Sequence, residues 1–506
     1  MKSDRQCEYA EASALAGPAP VRDDLTSGNI ESARTRPSTD VRYPWSRRDV
    51  RLARTQPDED VYATETAPAR WFGLLATDTT DVDLDMDSHC STGAAYAAST
   101  QPDVMQLSNI APSASSDDQR ERVKWQAQEC MRLQGLEFDM YNYFVSFVSP
   151  WIDMFDPMQH FASVVPRLAL YNEGLLKAIL AIGARHLAIK AAESSCDAVV
   201  FQHAAVQYYA ETLQYLQSAM RCTSYKNSQE LLATTLIISA YEMLDGSGKG
   251  WERHLKGVFW IQHTREINGE SGGLEQAVWW AWISQDLVAS FRERRRCFSF
   301  FKPTRPYSKM NAWDKAARMV YLLAQCINFT SDEEQRDGER EPAQRAARAG
   351  QLAEFLEEWD TSKGISFDPL PLAAYPESIF KPVWIHPPAF ALAVQMYHVS
   401  RILLLSHEPL DTPDKIERHD RKSDIAESID VVAGLASQLT DGASRAYSSQ
   451  YLCMAGLFCV SVDRQKAILD ILEAKVARYA WPTDVERSTE LQAAWARSAA
   501  SYSRGR

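Results

Sequence analysis

Apolar positions in this chain recur with a helical period from about residue 121 onward, and with none before it. Leu175, Ile179, Ile182, His186 and Ile189 step by fours and threes, which lays them along one face of a helix. Val206, Tyr209, Leu213, Leu216 and Met220 repeat the pattern. Residues 231–244 are apolar nearly all round, as in a helix covered on most sides, and Asn227 followed by Glu230 predicts its start. Further helices are predicted from Trp251, and over 274–291, 312–328, 343–360, 388–406, 423–439, 445–459 and 464–480. Strand-like alternation is scarce, and no period of about 30–45 residues repeats, so the expected fold is all-α without a regular solenoid.

Two stretches interrupt the pattern. Residues 329–345 are polar and densely charged, which predicts an exposed loop. Residues 361–388 hold Pro369, Pro371, Pro376, Pro382, Pro387 and Pro388, which forbid a continuous helix and suggest a crossover between helical layers. The predicted organisation is one large multi-helix domain over 121–485, behind a disordered tail over 1–120 and ahead of a C-terminal tail over 486–506. Within the first tail, Ser, Thr, Asp, Ala and Pro dominate. Arg34, Arg36, Arg42, Arg47, Arg48, Arg51 and Arg54 form a basic stretch there. Trp71, Phe72, Leu74 and Leu75 then precede Asp78, Asp81, Asp83, Asp85 and Asp87.

Composition narrows the classes. The 506 residues are 45% hydrophobic and 24% charged, enough apolar material for a large core. A formal net charge of -13 repels nucleic acid and acidic membranes, so DNA binding would need a local basic patch. The 9 cysteines are widely spaced and odd in number, which predicts reduced thiols in an intracellular protein. No apolar stretch follows Met1, so no secretory signal is expected. No run of about 18 apolar residues occurs either; the best stretch, 175–189, is broken by Lys177, Arg185 and His186, so no membrane span is expected.

Candidate chemistry is thin. Gly246, Gly248, Lys249 and Gly250 suggest a phosphate loop, but no hydroxyl residue follows the lysine and no strand precedes it, so an inter-helix turn is expected. The 10 histidines form no metalloprotease or zinc spacing. His186, and His254 and His263 flanking Phe259 and Trp260, are read as hydrogen-bonded core residues. Asp153 with Asp156, and Glu357 with Glu358, are read as helix caps or solvated faces. Arg292, Arg294, Arg295 and Arg296 leave two readings: the cationic last turn of a helix, or a nuclear-import or phosphate-contacting patch. No catalytic, cofactor-binding or metal-ligating residue is assigned, and no enzyme activity is expected.

Several segments resemble, in order, a known family. They are Ser149-Pro150-Trp151 through Asp156, Val165 through Leu170, Ala178 through Leu187, and Tyr241 through Asp245 leading into Gly250-Trp251-Glu252-Arg253-His254-Leu255-Lys256-Gly257. Gly272 through Trp280 follows, with Gln285-Asp286, and later Met396 through Leu404 and Arg464 through Leu472. Together they resemble the second of two families of fungal-specific transcription factor regulatory domain, over about residues 136–485. Such domains usually follow a binuclear six-cysteine zinc cluster. Only Cys7 and Cys90 precede residue 120, so neither zinc nor direct sequence-specific DNA reading carries over. An upstream six-cysteine exon would restore both.

The resemblance implies a nuclear transcriptional regulator, pathway-specific and of the kind often found with secondary-metabolite gene clusters. Its expected partners are the transcription machinery or a DNA-binding partner protein, a second copy as homodimer, and a small-molecule effector. Trp251, Trp260, Trp279 and Trp280 are candidates to line an inter-helix pocket, with core packing the more expected use. Residues 71–87 suit a disordered activation segment, or a merely acidic tract. The rival reading is a cytoplasmic metabolite-binding helical protein that never touches DNA.

Overall fold

Asparagine, serine, aspartate and proline start most of the helices in a computed structural model of the chain, which describes residues 116–191, 196–245, 251–299, 301–372, 378–409, 415–479 and 483–504. The basic stretch over 34–54, the segment over 71–87 and the glycine-rich turn over 246–250 lie outside the described residues. A first group of helices comprises α1 (Ser116–Arg122), α2 (Leu136–Tyr143), α3 (Ser149–Ile152), α4 (His160–Ser163) and α5 (Val165–Ala169), with a π-helical turn (Phe144–Val148) joining α2 to α3. Next come α6 (Glu173–Lys190), α7 (Cys196–Ala219), α8 (Thr223–Lys226), α9 (Gln229–Asp245), α10 (Trp251–Thr264) and α11 (Gly273–Glu293). The rest is α12 (Ala312–Thr330), α13 (Asp332–Arg340), α14 (Pro342–Ser362), α15 (Pro388–His407), α16 (Lys415–Gln438), α17 (Gly442–Gly456), α18 (Val462–Tyr479) and α19 (Thr483–Arg504).

The fold class is all-α. Among the described residues there is no strand, only one isolated antiparallel bridge between Leu370 and Trp384 in the proline-rich crossover. Local chemistry sets the boundaries. The Asn172 side chain accepts from the Leu175 amide at 2.8 Å to open α6, and Asn311 with Asp314 forms a capping box on α12. Pro342 and Pro388 stand in the first turns of α14 and α15, where a missing amide costs nothing.

Burial follows the periodicity. Helices α6 and α7 lie antiparallel, as Lys177–Glu211 (3.1 Å) and Arg185–Gln202 (2.5 Å) show at two levels of the pair. Gly183 lets α2 approach: a Cβ there would sit 2.6 Å from the Met140 carbonyl oxygen. Helix α15 packs against α12, α14, α16 and α17, with most of its side chains buried. It is the one described helix long and apolar enough to cross a membrane, and 72% of that window is buried in the core. The 175–189 stretch was therefore not the most membrane-like in the chain.

Three expectations need correcting. The stretch over 329–345 is not a loop: it forms α13 and the start of α14, with the Ser331 hydroxyl accepting from the Glu334 amide at 3.3 Å. Helix α9 opens at Ser228, not Asn227, because the Ser228 hydroxyl accepts from the Leu231 amide at 3.0 Å. The tail over 486–506 is largely helical, as α19, and buries Leu491 and Ala494.

Candidate functional site

The residues singled out for chemistry serve three local structures. The first lies where α2 and the π-helical turn cross α6. Tyr143 and His186 are both buried, and the Tyr143 hydroxyl stands 2.9 Å from His186 Nδ1. Burial, reinforced by Lys190, lowers the His186 pKa to about 4, and burial pushes the Tyr143 hydroxyl up to about 12. A neutral imidazole at pH 7 accepts from the phenol at Nδ1. The hydrogen-bonded core reading of His186 holds.

The second is the turn before α4. Asp153 is buried and accepts from the Phe161 and Ala162 amides at 2.9 and 2.8 Å. Asp156 accepts from the Met158 and His160 amides and holds His160 Nδ1 at 2.7 Å. Burial raises the Asp153 pKa to about 8, and the bond to Asp156 raises that of His160. These are caps, with no reacting group between them. Glu357 and Glu358 are solvent-exposed.

The third is the corner where α11 ends. Arg294 takes a left-handed backbone conformation (φ 57°) that reverses the chain. Asp286, fully buried one level below, accepts from Arg295 Nη2 at 2.8 Å and from the Phe298 amide at 2.7 Å. Every arginine of the cluster meets a carboxylate: Arg292 meets Glu490 (3.1 Å), Arg294 meets Asp332 (2.7 Å), and Arg295 also meets Glu293 (2.6 Å). Arg296 faces Glu333, Glu334 and Asp337 at 3.2, 3.4 and 3.8 Å. This supports the structural reading of the cluster over the import or phosphate-contacting one. Below it, Arg345 donates to the carbonyls of Phe329, Glu334 and His407, and its guanidinium lies 4.0 Å from the Phe329 ring centre. It thereby caps the ends of α12 and α15.

The tryptophans pack. Trp279 and Trp280 are buried, meeting edge to face at 4.6 Å, and Trp279 meets Phe301 at 5.0 Å. Trp282 is buried and donates to the Leu255 carbonyl at 3.0 Å. Trp260 is half-buried beside Phe259. His263 is exposed and stacked on Phe259 at 5.5 Å, so it is not the core histidine expected. The side chains of Trp251 and His254 lie outside the described residues. A cleft of about 30 Å³, lined by none of the tryptophans, separates α11, α17 and α19.

No group of three or more metal-ligating side chains occurs among the described residues. The six described cysteines, Cys130, Cys222, Cys297, Cys326, Cys453 and Cys459, are free thiols, and burial pushes Cys297 and Cys326 up to about 12. Such thiols are poor nucleophiles. Sequence reasoning missed Asp286 as an anchor, and missed Arg345 and Gly338 altogether. Only the adjacent Gln285-Asp286 pair, quoted for its family likeness, gave any signal.

This geometry belongs to a helical scaffold stabilised from within. Residues 139–278, running from α2 into α11, match the family model described as fungal specific transcription factor domain. Over those residues the chain is similar to that domain. No curated protein and no solved structure matches the chain.

Proposed function

We propose that this chain is a nuclear regulator of RNA polymerase II transcription whose helical body is an interaction module, bringing the transcription machinery or a DNA-binding partner protein to its target genes. The observation that carries the reading is the family match over residues 139–278, set in a continuous helical core. Two further features support contact with DNA through a partner. The net charge is -13, and the densest basic cluster of the helical body is already paired with carboxylates. Homodimer contacts and a small-molecule effector are the means of control this reading favours. A secondary-metabolite gene cluster is the kind of target the family likeness supplies.

The test is a reporter assay with the full chain fused to a heterologous DNA-binding domain. Reporter output should change several-fold, and deleting residues 71–87 should lower it if that acidic, aromatic segment activates. Wild-type output equal to that of the DNA-binding domain alone, with the protein excluded from nuclei, would overturn the proposal.

A further inference from the structure

The cleft between the end of α11, the second half of α17 and α19 sets one amide among apolar walls. Val288, Phe291, Cys453, Met454 and Leu491 give it apolar walls. Gln450 also lines it, is only 8% exposed, and has an Oε1 atom that is buried and accepts no hydrogen bond. An orphaned amide oxygen in an apolar wall is destabilising, and a ligand donor would remove that cost. The rim is the half-exposed ion pair Arg292–Glu490 at 3.1 Å. Opposite it, α19 is held by Leu491, Ala494 and the Trp495 indole N–H, which donates to the Gly456 carbonyl at 2.9 Å.

We propose that this cleft binds a small neutral molecule with an apolar body and one hydrogen-bond donor, given to Gln450 Oε1, and that binding displaces α19. The class follows from the lining. A charged ligand would lose its hydration among apolar walls with no counter-ion inside, because Arg292 and Glu490 already neutralise one another. A purely apolar ligand would leave the amide oxygen orphaned. The coupling follows from volume. About 30 Å³ holds one or two waters, so anything larger enters only as α19 moves outward. Leu491 and Glu490 both stand on α19, which makes that helix at once a wall and half of the rim. The inference does not depend on the proposed transcriptional role, since the probe below reads binding alone.

Phenol, with toluene as its donor-free counterpart, is the probe. Hydrogen–deuterium exchange is followed on the full chain over residues 488–500, with α15 as the reference helix. Phenol should raise exchange in α19 saturably, leave α15 unchanged, and act at concentrations about fivefold below toluene, the worth of one ordinary hydrogen bond. Gln450→Leu should abolish that preference. Equal action of phenol and toluene on the wild-type chain would overturn the hydrogen-bond assignment without recourse to any variant. An α19 that does not respond to phenol, or an α15 that loosens in step with it, would overturn the site.

Discussion

The core around α6, α7 and α9 and the corner between α11 and α14 reach order by different physics. In the first, Leu175, Ile179, Leu232, Leu236 and Ile237 are fully buried, and Tyr143 and His186 pair among them, while the ion pair Lys177–Glu211 lies at the edge of the core. In the second, charge does the joining: Asp286 with Arg295, Arg294 with Asp332, and Arg345 on three carbonyls. The contrast teaches that a dense charge run is not evidence of a loop. Helix α13 buries only Gly338 among its nine residues, yet it is fixed by what its flanks grip. A Cβ on Gly338 would stand 2.2 Å from Arg345 Cδ, so this glycine is what lets the arginine lie across the helix.

The largest effect should come from the buried anchor. Asp286→Ala leaves Arg295 without one of its two carboxylates and the Phe298 amide without an acceptor. Breaking such a pair by removing one partner costs roughly 3 kcal/mol. Urea denaturation should show that loss, little changed by 1 M NaCl because Asp286 is fully buried. Adding Arg295→Met should recover part of it, since no unpaired cation then remains. A loss below about 1 kcal/mol would erase the distinction between the two regions.

The apolar core should break under acid instead. The folded His186 pKa of about 4 lies below the ordinary value of about 6.5, because burial disfavours its charged form. The stability tied to its neutral form is therefore fully present above about pH 6.5, and is lost as pH falls towards 4, where the unfolded chain takes the proton first. His398 and His407 shift the same way through burial. His160, raised by Asp156, and Asp153, raised by burial to about 8, work in the opposite sense, contributing more as pH falls and less as it rises. The urea midpoint should fall between pH 7 and pH 5. His186→Gln, which keeps an acceptor for Tyr143 but does not titrate, should flatten that fall by on the order of 1–2 kcal/mol. An unchanged slope would show that His186 is not what the acid attacks.

The same contrast decides what the sequence could reveal. Helices α6 and α7 are legible because a buried face leaves a 3.6-residue signature, and α15 because it is apolar nearly all round. The capping residue of α9 was misplaced by one position because Asn227 and Ser228 are both good caps, and only the bond to Leu231 distinguishes them. Helix α19 escaped because, among its described side chains, only Leu491 and Ala494 are buried, with Trp495 half-buried. At the corner, Asp286 sits among tryptophans and alanines on a core helix, so its role exists only once Arg295 folds back over it. The cleft likewise gave no signal, since residues from α11, α17 and α19 meet there only in three dimensions.

The smallest effect, and the sharpest test of the corner, concerns Arg296. It is 43% exposed and shares its charge among Glu333, Glu334 and Asp337, themselves on the surface of α13. Exposed pairs contribute about 0.5 kcal/mol, and at 1 M salt a screening length of about 3 Å removes most of that. Arg296→Ala should therefore lower stability by about 0.5 kcal/mol in low salt and by nothing measurable in high salt. A fluorescent fusion carrying the same substitution should keep its nuclear fraction, because a side chain occupied by three carboxylates is poorly placed to meet an import receptor. Loss of nuclear signal at unchanged stability would reverse the assignment. The cluster would then be a recognition patch held in place by acidic residues, and the corner would join the functional surface of the molecule.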